Sequence, residues 1–347
     1  IYDFFSKTNK DRIRKRKKHR QLIDFYLIPV FKFFNIRVII SPSIHYIQDI
    51  DIGITAKHQG MKFLIFHREN LTILPDQIKV LTKLYSNFDK IPTDLVVFHN
   101  KSARKIFLQS KLLLKKQTTI LGALRMDDFI KNINTKNNGK IISFFSFHKI
   151  SYILKDVMKK KHNWDRFKHQ KKGWNKLWDY MHIKFFELAR NNPNTKFIIK
   201  TKGGGNWILN IENLWMKKFK QKSLPNLNLT SDLNTHDIIN KSKFILGFNS
   251  TVLLEAGLRK IPIFVPDFYE VKKLNQHVLH ESFNGSFIKI KNMNELQEAL
   301  DNEHLKFYPT KKMMQKRKYF FQKYVNPLEL NLKRKYFSLI NMYLQTN

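Results

Sequence analysis

One stretch, Lys243-Phe-Ile-Leu-Gly-Phe-Asn-Ser-Thr-Val-Leu-Leu-Glu-Ala-Gly257, limits the folds open to this chain more than any other. It starts as a short apolar run of buried-strand type, breaks at Gly247 to Asn249, and resumes with helical periodicity after two hydroxyl residues suited to an N-cap. Downstream, Arg259-Lys-Ile-Pro-Ile-Phe-Val-Pro266 is a second apolar run closed by proline. Strand, helix and strand in so short a span make a βαβ unit, and such units build parallel sheets whose ligands bind beyond the carboxyl ends of the strands. The corner at Asn249, Ser250 and Thr251 then offers unpaired backbone N–H groups, with roughly half a positive charge at a helix start, to an anion such as phosphate. Glu255 is left over by that reading. A capping box needs Glu or Gln three residues after the cap, and those places hold Leu253 and Leu254, so capping does not explain the carboxylate. One turn in from Thr251, it is placed to accept hydrogen bonds from sugar hydroxyls. The plain alternative is an ordinary βαβ unit with a chance Asn-Ser-Thr cap.

The segment Gly-Phe-Asn-Ser-Thr-Val-Leu-Leu-Glu-Ala, then a basic residue and Ile-Pro-Ile-Phe-Val-Pro, resembles the donor-site segment of GT-B glycosyltransferases that build bacterial surface carbohydrate, whether capsule, lipopolysaccharide or teichoic-acid-like. UDP-N-acetylglucosamine 2-epimerases have a similar segment. Gly122-Ala-Leu-Arg-Met-Asp127 resembles the stretch that closes the N-terminal domain in the same families. The resemblance runs from Thr93 to Phe268. It implies an α/β fold of two Rossmann-like domains facing across a cleft, with C-terminal helices returning to the first domain. It also implies that the Asn249–Thr251 turn contacts donor phosphate, that Glu255 contacts the nucleotide ribose, and that the region of Thr235, His236 and Asp237 helps hold the donor. Thr235 and Asp237 can equally be helix caps.

Taken in order, the chain divides into an acceptor-side domain over 1–130, a linker over 131–139 rich in Asn, Lys and Gly, a nucleotide-sugar domain over 140–310, and helices over 311–347. Strands are expected at 37–41, 61–66, 94–98 and 118–122, then at 140–147, 195–200, 227–231 and 287–290, besides the two above. The second strand ends in His67-Arg68-Glu69, where open α/β sheets place their chemistry. Glu69 or His67 is the candidate base for an acceptor hydroxyl, against a solvated loop. His148 ends the strand at 140–147 and is either a donor-phosphate contact or a loop histidine without a task. Lys200-Thr-Lys202-Gly203-Gly-Gly205 lets backbone approach a phosphate while Lys200 or Lys202 neutralises it, although it matches neither a P-loop nor a dinucleotide fingerprint. The span 162–178, with Trp164 and Trp174 among lysines, reads as a helical pair packing its tryptophans inward, or else as a surface that stacks on bases or sugars or lies on a membrane interface. Asp49-Ile-Asp51 matches the Asp-x-Asp pattern by which GT-A transferases hold a metal, but it lies in an N-terminal βα region. The expected mechanism is therefore metal-independent and needs no cofactor.

Charge enters here: 64 Lys plus Arg against 27 Asp plus Glu gives +37. Such a balance attracts polyanions, although an AT-rich genome rich in Lys, Asn, Ile and Phe codons would produce part of it. A nucleic-acid-binding protein is the rival from another class; it is disfavoured because the charge is scattered and no recognition motif occurs. With no Cys there are no disulfides, Cys-ligated metals or thiol nucleophiles. Arg12 to Arg20 is strongly basic and precedes an apolar run over 22–34 that reads as a helix with a large apolar face. It packs inward with a solvated basic face, or lies on an anionic membrane with the cluster as its anchor. Asp24, Lys32 and Arg37 interrupt the run, so it is not a signal peptide, and no window of about twenty uncharged apolar residues exists to span a bilayer. The first residue is Ile1 rather than Met, which is compatible with either a complete chain or a fragment of a longer one. The expectation is a cytoplasmic enzyme, peripheral on the inner face of the membrane, that moves a sugar from a nucleotide-sugar donor to a glycan or glycolipid acceptor. A polyol-phosphate transferase or a sugar epimerase would use the same phosphate corner.

Overall fold

A computed structural model of the chain describes residues 10–68, 71, 75–131, 133, 139–147, 164–268, 283–301 and 307–345. The chain forms two compact units, Ile1–Lys131 with Gln322–Asn347, and Asn132–Phe321. Of the expected linker, only residues 131, 133 and 139 are described, and the helix Lys311–Tyr324 is divided between the units.

The first unit is built on a parallel sheet of β1 (Val38–Ser41), β2 (Lys62–Phe66), β3 (Leu95–Phe98) and β4 (Thr118–Ile120), in that spatial order. Parallel neighbours need crossovers, supplied by the helices Ile47–His58, Pro75–Tyr85 and Lys101–Gln109. The first of these lies close on β2 because of Gly53: a Cβ there would fall 2.2 Å from the Phe63 ring. A further helix, Leu332–Gln345, sets Leu332 and Tyr336 against Leu64, Leu95 and Val97. Its start is held by Asp127, whose buried carboxylate accepts from the backbone N–H groups of Leu332 (3.1 Å) and Lys333 (2.8 Å). The Tyr336 hydroxyl donates to the carbonyl of Gly122 at 2.9 Å, and burial pushes its pKa above the usual phenol range. Asp127→Ala removes the acceptor from one buried N–H group, of Leu332, and one partly buried, of Lys333, and is expected to cost about 2 kcal/mol. Urea denaturation measures this, with Asp127→Asn falling in between; an unchanged midpoint would refute the capping role.

The N-terminal basic segment is the helix Lys10–Leu22, which opens into a π-turn at Ile23–Leu27 and continues as Ile28–Phe33. Pro29 accounts for the widened turn: it has no N–H, and its ring crowds the carbonyl four residues back. The helix is pinned by Asp51, which is fully buried and accepts from Arg16 Nη2 (2.8 Å) and Nε (3.2 Å). His19 Nδ1 lies 3.1 Å and Arg20 Nε 3.2 Å from the same carboxylate. Asp49 accepts from Ser41 Oγ at 3.2 Å. The Asp-x-Asp pattern is thus two separately engaged carboxylates, one of them clamping a helix.

The second unit has six parallel strands: β5 (Ile141–Phe145), β6 (Lys196–Lys200), β7 (Leu227–Thr230), β8 (Ser242–Gly247), β9 (Ile263–Pro266) and β10 (Ile288–Ile290). Their spatial order is β10-β9-β8-β5-β6-β7. Starting at β5, the chain builds outward through β6 to β7, returns to β8 on the other side of β5, and builds outward again. The order therefore reverses between β5 and β8, and this switch point is where doubly wound sheets leave a crevice beyond the strand ends. Where a helical pair was expected over 162–178, one helix, Trp164–Asn191, runs through. Leu177, Trp178, Met181, Phe185 and Leu188 keep a single apolar stripe that packs into the core, so no turn is needed. The side chains of Trp164 and Trp174 lie outside the description. A helix that the sequence reading missed, Trp207–Phe219, buries Ile211 and Trp215 four residues apart, and the indole N–H of Trp215 donates to the His182 carbonyl at 3.0 Å.

Candidate functional site

At the carboxyl end of β8 the backbone turns through Asn249, which has φ +52°, a left-handed conformation that asparagine tolerates better than most residues. The helix that follows, Val252–Ala256, is only five residues long. Thr251 has helical dihedrals and makes no side-chain cap, whereas Ser250 Oγ accepts from the Val252 N–H at 3.3 Å. So short a helix sums few aligned peptide dipoles. The full half-charge expected at this corner is therefore not available, and attraction for an anion falls to local N–H groups and nearby cations.

Glu255 is 3% exposed, and its Oε2 lies 3.0 Å from His236 Nε2. His236 opens the helix Thr235–Lys241, whose cap is Asn234: its side-chain oxygen accepts from the N–H groups of His236 (2.8 Å) and Asp237 (3.3 Å). Capping is therefore done by neither Thr235 nor Asp237. The pair joins a buried carboxylate to a half-buried imidazole across 19 residues of sequence. Sequence reasoning singled out both residues and missed their pairing.

The remaining predicted residues separate. Lys200, at the end of β6, donates from Nζ to the carbonyls of Thr201 and Ser231, both at 2.7 Å, so it ties the ends of β6 and β7 together. Desolvation lowers its pKa, with Asp232 opposing that shift. Lys202 and Gly203 lie on an exposed turn that continues through Gly204 (φ +82°) and Gly205 (φ +71°). Lys200 thus serves the backbone, and Lys202 is the cation of this loop open to solvent. His148 lies outside the described residues, but β5 and β8 run side by side, and the rings of Phe147 and Phe248 just past their ends meet at 4.8 Å between centroids.

In the first unit, Glu69 lies outside the described residues. His67 is 1% exposed, its Nδ1 accepts from the Ile44 N–H at 3.4 Å, and its ring packs edge-on against His45, Phe98 and Phe107. Enclosed in this way, its ring holds the loop at Ile44 and offers almost no surface to solvent. The reading overlooked His45, half-buried just beyond β1, with Nε2 2.7 Å from the buried Tyr85 hydroxyl. Its signal was present as Ser41-Pro-Ser-Ile-His45 at a strand's carboxyl end.

No protein-family model matches the chain, and a comparison with curated proteins finds no match. Among solved structures, a Listeria monocytogenes protein described as a UDP-N-acetylglucosamine 2-epimerase has a TM-score of 0.50 at 12% identity, covering 96% of this chain and 80% of that one. The wall teichoic acid polymerase TagF has a TM-score of 0.50 at 13% identity, covering 86% of this chain and 75% of that one. At such identities the likeness is one of fold: an α/β chain of the GT-B type with two Rossmann-like units.

Proposed function

We propose that the protein is a GT-B glycosyltransferase that moves a sugar from a nucleotide-activated donor to a surface polysaccharide or glycolipid acceptor. The observation that carries this reading is the Glu255–His236 pair, held beside the left-handed corner at Asn249 next to the switch point of the second sheet. A buried carboxylate steadied by an imidazole 3.0 Å away is pre-oriented to take ribose hydroxyls. The N–H groups of Ser250 and Thr251, with Lys202 and His148, take the donor phosphates and stabilise the charge that grows on the leaving group. Glu69 is the group this reading assigns to deprotonate the acceptor. Of the two proteins of like fold, one is named for UDP-N-acetylglucosamine and the other for wall teichoic acid, which sets nucleotide sugars and surface polymers as the first substrates to try. Peripheral contact with an anionic membrane belongs to the same reading, because glycolipid acceptors are presented there. Among the described residues, no helix is long and apolar enough to cross a membrane.

The test is a thermal-shift panel of UDP, CDP, CMP and their sugar or polyol conjugates. A true donor nucleotide at a hundredfold excess over Kd stabilises the binding unit by about 2.7 kcal/mol. For a unit of this size that is a rise in Tm of roughly 5–10 °C. No shift with any nucleotide, together with salt-dependent retention on DNA, would replace this reading with that of a nucleic-acid-binding protein. Radiolabel transfer from the stabilising donor then separates transferase from epimerase.

A further inference from the structure

We propose that residues 22–34 form a docking face for an anionic lipid surface, with the basic helix before them as its electrostatic partner. This segment is apolar on nearly every side. Ile23, Leu27, Ile28 and Phe31 turn inward and pack with Ala56, Met61 and Ile52. At helical spacing on the rest of the cylinder stand Leu22, Phe25, Tyr26, Val30 and Phe33, with Phe25 72%, Tyr26 67% and Phe33 83% exposed. A helix apolar on both faces needs a second partner, and a contiguous exposed patch of large aromatic side chains is uncommon on a protein surface that meets only water.

Charge on this segment is arranged accordingly. Its two ionic residues, Asp24 and Lys32, are both drawn to Gln59: Gln59 Nε2 donates to Asp24 Oδ1 at 3.0 Å, and Lys32 Nζ donates to Gln59 Oε1 at 2.9 Å. The outward stripe therefore carries no charge, while Lys10 to Arg20 next to it holds eight Lys or Arg against one Asp. Of these, Arg16 and Arg20 are committed to Asp51, and Arg14, Lys15, Lys17 and Lys18 face solvent. Aromatic rings at headgroup depth beside a cluster of cations complement a bilayer rich in anionic lipid, where one signal alone holds a protein weakly and two together hold it firmly. Asp51 fixes the helix to its neighbour so that the stripe is presented as one rigid surface. The inference does not depend on donor chemistry, since neither nucleotide nor acceptor takes part.

Co-sedimentation of the full chain with vesicles tests it, comparing pure phosphatidylcholine with the same lipid plus about one-third phosphatidylglycerol. Wild type is expected to pellet with the anionic vesicles and to bind the neutral ones at least tenfold more weakly. The triple variant Phe25→Ser, Tyr26→Ser, Phe33→Ser is expected to lose tenfold or more on anionic vesicles, with Tm and any nucleotide shift unchanged. Lys17→Glu with Lys18→Glu is expected to weaken binding roughly fivefold per cation removed. Wild type that ignores vesicles, or a serine variant that binds as well as wild type, overturns the proposal. So does sedimentation velocity that shows a dimer dissolved by the serine substitutions without vesicle binding, because the occupant would then be a second copy. Loss of vesicle binding with an intact nucleotide shift leaves the donor-site reading standing, so the two fail separately.

Discussion

Glu255→Gln is expected to weaken nucleotide binding by about 10–100-fold and to erase most of the donor-induced rise in Tm, while the unliganded protein melts near the wild-type temperature. A carboxylate accepting from two ribose hydroxyls makes charge-assisted hydrogen bonds, each contributing about 1.5–3 kcal/mol. The amide keeps the shape and one carbonyl acceptor, but it loses the charge and sets a donor against a donor. Since each 1.4 kcal/mol is a factor of ten, losing one such bond is enough to be measured by titration calorimetry. Glu255→Ala should reduce affinity further and also lower Tm, because His236 then loses its partner 3.0 Å away. His236→Asn should weaken nucleotide binding less than Glu255→Gln, since it loosens the carboxylate without removing it. If Glu255→Gln binds every nucleotide as wild type does, the carboxylate serves only the helix Thr235–Lys241 and the proposed donor site is wrong.

The largest expected effect on stability lies in the first unit. Asp51→Ala removes the buried carboxylate that accepts from Arg16 and lies within ion-pair distance of His19 and Arg20. Removing one member of a buried ion pair typically costs about 3–5 kcal/mol, more than most single substitutions. Guanidinium denaturation should show that loss, and limited proteolysis should show cleavage within residues 10–33 before the rest of the chain. Asp51→Asn, which keeps two polar contacts but no charge, should fall between. A variant with wild-type stability would mean that water screens the cluster and that the clamp contributes little.

Much of the architecture was readable in order along the chain, because short apolar runs punctuated by Gly, Pro and Asn have few other uses. Leu95–Phe98 and Ile263–Pro266 are buried throughout, as strands covered on both faces must be, and each lies within a residue or two of its expected place. The helix Trp207–Phe219 was not legible because it follows a glycine turn directly and its N-cap, Asn206, makes no side-chain capping bond. The candidate site was legible as a set of residue types at strand ends, and illegible as a set of partners. Lys200 and Lys202 are equivalent cations in sequence, yet one reaches two carbonyls and the other faces solvent, a difference set by the neighbouring strand β7. His67 looked like a base because it ends a strand; burial among Phe98 and Phe107 is a property of what packs above it.

Local chemistry was sufficient to establish alternating strands and helices, the turn at Asn249 and a carboxylate unexplained by capping, since all of these depend on neighbours a few residues away. Strand order, and with it the reversal between β5 and β8, depends on pairings between segments about a hundred residues apart, where periodicity carries no information. The same is true of the two arginines and the histidine around Asp51 and of the imidazole beside Glu255. A side chain's charge is written in its type, but whether that charge is spent on a neighbour or left for a ligand is settled by packing.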